Sequence, residues 1–401
     1  MSIQFTTSDH LANSFNLYDH RLNQICKSLL PDILDATRFQ LSLLLSRSEF
    51  DISEPIILDS ITGDLHTGLL STTRILINKR PYYFKPRSPS SHIFWDRTLN
   101  ILDVKNCQSN IITSNQYAYL EGEVHFINSD ESLFDEQNIA YSLGQLYIIC
   151  YCLGVSDLHI DNFVLCANHV QLIDHETILS LFLIDIIPEI IRYAPDHLYY
   201  SENSGEFFHR LENDRLDFPL MSQVFPGVVK SLVSKNCLNA KNLNNVHTAF
   251  KQGYMDGLAS IDRLKSQIVF DINSDLVNNA RLILRATACY ERMIKFYHLD
   301  CDPSPEFIKY LGLKKLLINA KHSWLDFSQD TRISLIDYEI SQIKRMCFPK
   351  FTAEYFIDGD DCKIRNKIIE LFEQRINQAK QEAFIAHLFN TALVQLKALT
   401  R

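Results

Sequence analysis

The spacing of apolar residues changes along this 401-residue chain, and that change limits the folds it can adopt. Between Ile56 and Phe84, short apolar runs alternate with turn residues, which is typical of a small antiparallel sheet. A further strand is predicted at 117–127. From about residue 178 onward the apolar residues recur at helical spacing. The sequence therefore predicts an α+β chain with a small β-rich N-terminal lobe and a large, mainly helical C-terminal lobe.

This pattern divides the chain into three segments. Residues 1–55 are predicted to form an N-terminal helical segment, in which Pro31 starts a second helix. Residues 56–130 are predicted to form the β-rich lobe, and residues 131–401 the helical lobe. A hydrophobic content of 46% in a chain of this length allows large cores.

The composition excludes several classes of protein. A net charge of −9 argues against nucleic acid as the main partner, because phosphate backbones are bound by clustered Lys and Arg. No apolar stretch is long enough to span a membrane, and the N-terminus lacks the regions of a secretion signal. The 10 cysteines are scattered without the spacing of a zinc site. Because free thiols are typical of a reducing cytosol, a cytoplasmic protein is expected.

Asp157 and Asn162 are five positions apart, and an apolar run then leads into Asp174 and Glu176. Phosphoryl transfer from ATP requires a carboxylate that orients the attacking hydroxyl, and oxygen ligands that hold Mg²⁺ against the phosphates. In protein kinases these roles belong to an Asp five residues before an Asn and to a second Asp after a short strand. Asp157 is therefore the candidate base. Asn162, Asp174 and Glu176 are candidate magnesium ligands.

Lys85 ends the third predicted strand, the position from which a kinase lysine binds the phosphates of ATP. Its ion-pair partner is predicted to be Asp96 or Glu121. Arg87 is a candidate for a second phosphate contact. His159, inside the Asp157 motif, has two interpretations: it orients Asp157 or moves a proton, or it only packs in the loop.

The segment Gly63–Gly68 stands where a kinase has its phosphate loop, although it lacks the GxGxxG pattern. Asp64 and His66 within it are either ordinary turn residues or a proton-transfer pair close to the phosphates.

Residues 276–297 predict one amphipathic helix that carries Arg281, Arg285 and Thr287. A spacing of four places the two arginines on the same face. The residues alone suit either a solvated basic face or a phosphate-binding one.

Together these segments resemble the dehydratase domain of class II lanthionine synthetases, the LanM type, whose fold is like that of a lipid kinase. The resemblance extends over about residues 55–398 and is most specific between Asp157 and Thr177. The matching segments are Gly63–His66, Tyr83–Ser88, Tyr117–Glu121, Leu153–Asn162, Leu172–Thr177, Arg281–Tyr290 and Phe348–Phe351. The resemblance implies a two-lobe, kinase-like fold.

It also implies an enzyme that uses ATP and Mg²⁺ to phosphorylate serine and threonine side chains of a precursor peptide. The same site then eliminates the phosphate and leaves dehydroalanine or dehydrobutyrine. Arg281 and Thr287 match the family's elimination positions, where a guanidinium suits a bidentate phosphate contact. The zinc ligands of the family's cyclase are absent from this sequence, so ring formation is expected to need a separate cyclase.

Two other interpretations stay open. One is a kinase-fold phosphotransferase that stops at a phosphorylated protein or small molecule, including an effector kinase, in which Arg281 and Thr287 only bind phosphate. The other is a pseudoenzyme scaffold that binds a peptide or a nucleotide. Four residues whose side chains suit phosphoryl transfer argue against the scaffold: Asp157, Asn162, Asp174 and Lys85.

Overall fold

The computed structural model describes most of the chain. The described residues are 3–5, 20–46, 54–61, 68–105, 111–122, 135–158, 162–166, 168–187, 190–192, 225–234, 238, 242–285, 287–300, 304–319, 325–327, 329–356 and 361–399. Within these ranges, no helix combines the length and the apolar composition needed to cross a lipid bilayer.

The strands of the described residues form one larger sheet and three small ones. They are β1 (Ile3–Phe5), β2 (Ile56–Ile61), β3 (Thr73–Ile77), β4 (Arg80–Lys85), β5 (Ile111–Ser114), β6 (Tyr119–Gly122), β7 (Phe163–Leu165), β8 (Val170–Leu172), β9 (Ile190–Arg192), β10 (Arg281–Leu282), β11 (Leu325–Phe327) and β12 (Phe351–Thr352). The six-stranded sheet has the order β1-β2-β3-β4-β6-β5, and the two-stranded sheets are β7-β8, β9-β11 and β10-β12.

The helices account for most of the chain after the sheet. They are α1 (His20–Leu45), α2 (Ser90–Leu102), α3 (Glu136–Cys152), α4 (Ser180–Ile186), α5 (Phe225–Ser234), α6 (Leu243–Ile261), α7 (Leu264–Asp271), α8 (Ser274–Asn279), α9 (Thr287–Lys295), α10 (Glu306–Asn319), α11 (Gln329–Ile343), α12 (Asp361–Ala379) and α13 (Glu382–Leu399). A π-helical turn, Phe296–Asp300, continues α9, and a 3₁₀ turn, Ala353–Tyr355, follows β12.

The antiparallel sheet predicted between Ile56 and Phe84 is confirmed. β2, β3 and β4 pair antiparallel in sequence order. Asn78 and Lys79 connect β3 to β4, and both have positive φ, 49° and 64°. A two-residue turn with positive φ at both positions matches the right-handed twist of the strands it joins. β1, which lies in the segment predicted as helical, adds to the sheet as a parallel partner of β2.

Helices α3 and α6 pack closely through glycines. A Cβ atom at Gly253 would lie 1.9 Å from the carbonyl oxygen of Tyr141, and one at Gly144 would lie 2.2 Å from that of Phe250. Only glycine permits the two backbones to come this close. This helix pair lies in the first hydrophobic core, which α12 and α13 complete with Phe372 and other apolar side chains.

A second hydrophobic core lies against the six-stranded sheet. It combines sheet residues such as Ile75 and Phe84 with apolar side chains of α1, α9, α10 and α11. Helices that precede and follow the sheet in the sequence therefore cover it, and the two cores interleave along the sequence. The boundaries 56–130 and 131–401 and the kinase-like lobes remain predictions.

Two helix predictions are wrong in detail. Pro31 lies inside the continuous helix α1 and starts no new one. Leu30, Ile33 and Leu34 of this helix are buried in the second core, so we attribute its continuity past proline to packing. The single helix predicted for 276–297 is interrupted by the strand β10.

Candidate active site

Lys85 is the last residue of β4, and its neighbours on β6 determine its surroundings. Lys85 lies opposite Tyr119, and Glu121 is the next residue along β6 on the same face of the sheet. Lys85 Nζ is 2.5 Å from Glu121 Oε2, and the two side chains are only 10% and 4% exposed. Of the two predicted partners, Asp96 and Glu121, the structure places Glu121 against Lys85.

The hairpin β7-β8 brings Asn162 and Asp174 together, because one residue precedes the hairpin and the other follows it closely. The amide of Ile173 donates a 2.9 Å hydrogen bond to the carbonyl of Asn162, which closes the end of the hairpin. Lys85 Nζ donates to the carbonyl of Ile173 at 3.1 Å. The sheet and the hairpin therefore meet directly beside Asp174.

Asp157 lies in a loop that is tied to the segment containing Glu176. Its φ is +54°, a left-handed conformation that Asp tolerates better than most residues. Asn162 Nδ2 donates to the Asp157 carbonyl at 2.8 Å. Thr177 Oγ1 donates to the carbonyl of Ser156 at 2.7 Å. These contacts hold the two halves of the sequence motif in a fixed relation.

Glu176 is the acidic residue at the centre of the site, and three basic side chains reach it from separate parts of the chain. Arg281 Nη1 contacts Glu176 Oε1. Arg87 Nη1 and Lys350 Nζ are 2.8 Å and 2.7 Å from Oε2. Arg87 Nη1 is also 3.0 Å from Asp174 Oδ1. The Glu176 side chain is only 7% exposed, so a nearly buried anion is compensated by three cations.

The pKa values of the basic side chains reflect this packing. Burial by itself lowers the pKa of each of the four basic side chains at the site, which are Lys85, Arg87, Arg281 and Lys350. For Lys85, Arg87 and Arg281 the pKa is nevertheless raised, because nearby acidic groups outweigh burial. The charges that act on Arg281 include that of Asp157, so the candidate base lies within its electrostatic range. The pKa of Lys350 is lowered, because burial and the two arginines outweigh its carboxylate partner.

A cavity of about 270 Å³ opens beside this cluster. Arg87, Glu176 and Lys350 line it, together with the buried His175 and with Tyr117, which is 64% exposed. His175 Nε2 donates to the carbonyl of Leu172 at 2.9 Å. Burial, with nearby positive charges, lowers the pKa of His175 well below its usual value, so this wall of the cavity carries a neutral imidazole.

The prediction that Arg281, Arg285 and Thr287 share one helix is wrong. Arg281 lies in β10, where its amide donates to the Glu176 carbonyl at 2.7 Å and its strand pairs with β12. Arg285 points elsewhere: its Nε is 2.7 Å from Glu339 Oε1 in a pair that is 2% and 0% exposed. Arg281 therefore belongs to the candidate site and Arg285 to a buried ion pair, and the two do not share one helix face.

Several predicted residues cannot be placed in the site. Asp64, His66 and His159 lie outside the described residues, and their roles remain predictions. Thr287 is the first residue of α9, but its side chain also lies outside what the structure describes.

The predicted magnesium ligands divide into two groups. Asn162 and Asp174 lie at one end of the hairpin, and 28% of the Asp174 side chain is exposed. An amide and a carboxylate are hard oxygen donors, so this pair fits Mg²⁺. Both Glu176 oxygens contact basic side chains, so its predicted role as a third ligand requires those ion pairs to open. Among the described residues, no group of three or more His, Cys, Asp or Glu is arranged to hold a metal ion.

Lys350 is a site residue that the sequence did not predict. It lies 174 positions from Glu176 along the chain, and β12 brings it to the site through its pairing with β10. The one signal in the sequence was its place in the segment Phe348–Phe351, which matched the family resemblance without an assigned role.

Two similarities to known proteins cover part of the chain. A sequence-family model, described as a domain of unknown function (DUF4135), matches residues 25–218. The lacticin 481/lactococcin biosynthesis protein LcnDR2 of Lactococcus lactis subsp. lactis is 28% identical over 182 residues, which is 43% of this chain and 19% of that protein. The chain thus spans about a fifth of the length of this relative. Both matches are partial, and the relative is named for the biosynthesis of lacticin 481 and lactococcin.

Proposed function

We propose that this chain is an ATP- and Mg²⁺-dependent dehydratase that acts on serine and threonine side chains of a peptide. It would phosphorylate the hydroxyl and then eliminate the phosphate, leaving dehydroalanine or dehydrobutyrine. The observation that carries the proposal is a cluster of four largely buried cations around acidic residues: Lys85, Arg87, Arg281 and Lys350. The charge of Asp157 acts on one of them, Arg281. Such a concentration of cations suits a reaction in which phosphate is first held and then released.

In the first half of the reaction, Asp157 orients the attacking hydroxyl and accepts its proton. As the new O–P bond forms, the bond between the γ-phosphorus of ATP and its bridging oxygen breaks, and ADP leaves. Lys85, fixed by Glu121, binds the phosphates of ATP, and Arg87 contributes a second cation. Asn162 and Asp174 would hold Mg²⁺, which neutralises phosphate charge when bound. This half of the proposal implies a kinase-like fold.

In the second half, the α-proton of the phosphorylated residue passes to a base, for which the predicted proton-transfer pair Asp64 and His66 is the candidate. The Cβ–O bond breaks, and inorganic phosphate leaves as the Cα–Cβ double bond forms. Arg281 holds the leaving phosphate through its guanidinium, which matches phosphate geometry better than an ammonium group does. Arg281 contacts Glu176, and the charge of Asp157 acts on it. Phosphorylation and elimination would therefore use side chains that lie close together.

A peptide substrate is proposed on the basis of the family match. The relative is named for the biosynthesis of lacticin 481 and lactococcin. A cytoplasmic location and a separate cyclase that acts on the dehydrated peptide belong to the same proposal.

Mass spectrometry of candidate precursor peptides, incubated with the protein, ATP and Mg²⁺, tests this function. The proposal predicts that each modified residue loses the mass of one water. A product that only gains the mass of a phosphoryl group would support the phosphotransferase alternative. An unchanged peptide, together with no turnover of ATP, would contradict both.

A further inference from the structure

The Glu176 carboxylate lies among three cationic side chains from separate parts of the chain. Its two oxygens accept contacts from Arg281 on one side and from Arg87 and Lys350 on the other. The side chains of these three cations are 15%, 17% and 21% exposed, so all of them are drawn out of bulk solvent. Three such donors around one carboxylate form what we term the cation cradle: Arg87, Arg281 and Lys350.

The three cations of the cradle share one carboxylate as their common contact, that of Glu176. Arg87 also contacts a second carboxylate, that of Asp174, at 3.0 Å. A phosphomonoester carries nearly two negative charges and three acceptor oxygens. It can therefore offer a separate oxygen to each of Arg87 and Lys350, which share the single oxygen Oε2 of Glu176.

The cradle is accessible from the cavity. Arg87, Glu176 and Lys350 line it, and Ser88 and Asn279 add polar groups to its wall. The exposed Tyr117 also lines the cavity, so the cavity reaches the protein surface there. Arg281 does not line the cavity. Arg281 contacts Glu176 Oε1, and the nearby charge of Asp157 acts on its guanidinium.

We propose that Glu176 is the internal counter-ion of a phosphate-binding site, and that the phosphate of a phosphorylated serine or threonine side chain replaces it on Lys350 and Arg87. This inference rests on the proposed function and names the side chain that enters the cavity. It assigns Lys350 as a phosphate-binding residue. It also gives Glu176 a role in release, because its carboxylate can return to the cations as phosphate departs.

Calorimetric titration with inorganic phosphate and with a phosphoserine peptide tests the site directly. Lys350→Gln should weaken the binding of both probes about 10-fold or more, the effect expected for losing a hydrogen bond to a charged group. Lys350→Arg, which keeps the charge, should restore most of the affinity. Glu176→Gln should tighten binding, because it removes the competing anion and keeps the shape of the side chain.

A matched control and a nucleotide probe separate this site from other sources of phosphate. Lys380 makes an ion pair of 2.8 Å with Asp262, and neither residue lines the cavity, so Lys380→Gln should leave phosphate affinity unchanged. The affinity for ADP should not change in Lys350→Gln. The inference is overturned if Lys350→Gln binds both probes as the unmodified protein does, if Glu176→Gln weakens phosphate binding, or if only ADP binding is lost.

Failure of this inference and failure of the proposed function give different results. If phosphate binding responds to Lys350 and Glu176 as expected while no peptide is ever modified, the phosphate site stands and the dehydratase proposal fails. If peptides are dehydrated while Lys350→Gln binds both phosphate probes with unchanged affinity, only the role of Lys350 is contradicted.

Discussion

At the scale of single residues, the ion pair between Lys85 and Glu121 is the contact whose loss has the clearest consequence. Both side chains are almost fully buried, and Lys85 also donates to the carbonyl of Ile173. If either Lys85 or Glu121 is removed, the other keeps a buried charge that neither an ion-pair partner nor water stabilises.

Lys85→Met is therefore expected to lower the free energy of unfolding by about 3–5 kcal/mol and to abolish ATP use. The double variant Lys85→Met/Glu121→Leu should recover most of the stability but none of the activity. Chemical denaturation and an ATP turnover assay measure the two effects. Lys79→Met, at the exposed pair with Glu54, is the control and should change little. Recovery of ATP turnover in the double variant would contradict the role of Lys85.

Asp157→Asn should slow peptide phosphorylation by about 10²–10⁴-fold, the usual contribution of a general base. Asparagine tolerates positive φ as aspartate does, so the fold should survive. Asp103→Asn is the matched control, since Asp103 ends α2 with a φ of +56° at an exposed position. Single-turnover phosphate incorporation measures the effect. A rate in Asp157→Asn equal to that of the Asp103 variant would rule out Asp157 as the base.

The sequence predicted part of this site because some of its geometry is local. Asn162 and Asp174 flank a short hairpin, so their spacing alone predicts that they meet. Glu121 was one of two alternatives, and only the register of β4 with β6 decides between them. Lys350 could not be predicted, because its position depends on a pairing between strands far apart in the chain.

At the scale of elements, the close contact between α3 and α6 depends on glycines. Replacing a helical glycine by alanine normally stabilises a helix by up to about 1 kcal/mol. At Gly253 the new Cβ would lie 1.9 Å from a backbone oxygen of α3, and neither backbone can yield locally.

Gly253→Ala should therefore lower the free energy of unfolding by about 1–3 kcal/mol or more, because overpacking outweighs the gain in helix propensity. Urea denaturation measures the change. Gly312→Ala is the control: there the nearest atom is the ring tip of Phe296, 2.9 Å away, which can turn aside. A stabilised Gly253→Ala variant would show that the helices are further apart than described.

His247 of α6 makes stability depend on pH. Its Nε2 lies 2.8 Å from the carbonyl of Phe389 on α13, and burial lowers its pKa. As the pH falls below about 6.5, the unfolded chain binds a proton that the folded chain does not, so stability decreases.

His247→Gln should reduce this pH dependence by at most about 1.4 kcal/mol per pH unit between about pH 6.5 and the lowered pKa. Denaturation at a series of pH values gives the slope. His387→Gln, at a partly exposed histidine on α13, controls for removing a histidine as such. A slope that does not differ between the two variants would contradict the assignment.

Element prediction failed where the pattern was ambiguous. Leu282, Ile283 and Leu284 form a continuous apolar run, which suits a buried strand as well as a helix. The structure has a strand here: the Arg281 amide donates to the Glu176 carbonyl, and Leu282 pairs with Phe351. These partners are distant in sequence and leave no local signal.

At the scale of the whole molecule, the candidate site lies where the two hydrophobic cores meet. Phe84, which precedes Lys85, belongs to the core against the sheet, and Leu172, which precedes the Asp174 segment, belongs to the helical core. The family match at 25–218 includes Lys85 and Glu176, whereas Arg281 and Lys350 lie beyond it. The half of the proposal that concerns elimination therefore depends most on the structure.

The central claim, that one site both installs and expels phosphate, is tested most directly by the mass of a precursor peptide treated with ATP, Mg²⁺ and Arg281→Ala protein. Losing a preorganised contact to the leaving phosphate should slow elimination by about 10²–10³-fold. The account predicts that the phosphorylated peptide accumulates, whereas the exposed control Arg292→Ala gives the dehydrated peptide. Full dehydration by Arg281→Ala, at the rate of the control, would contradict it.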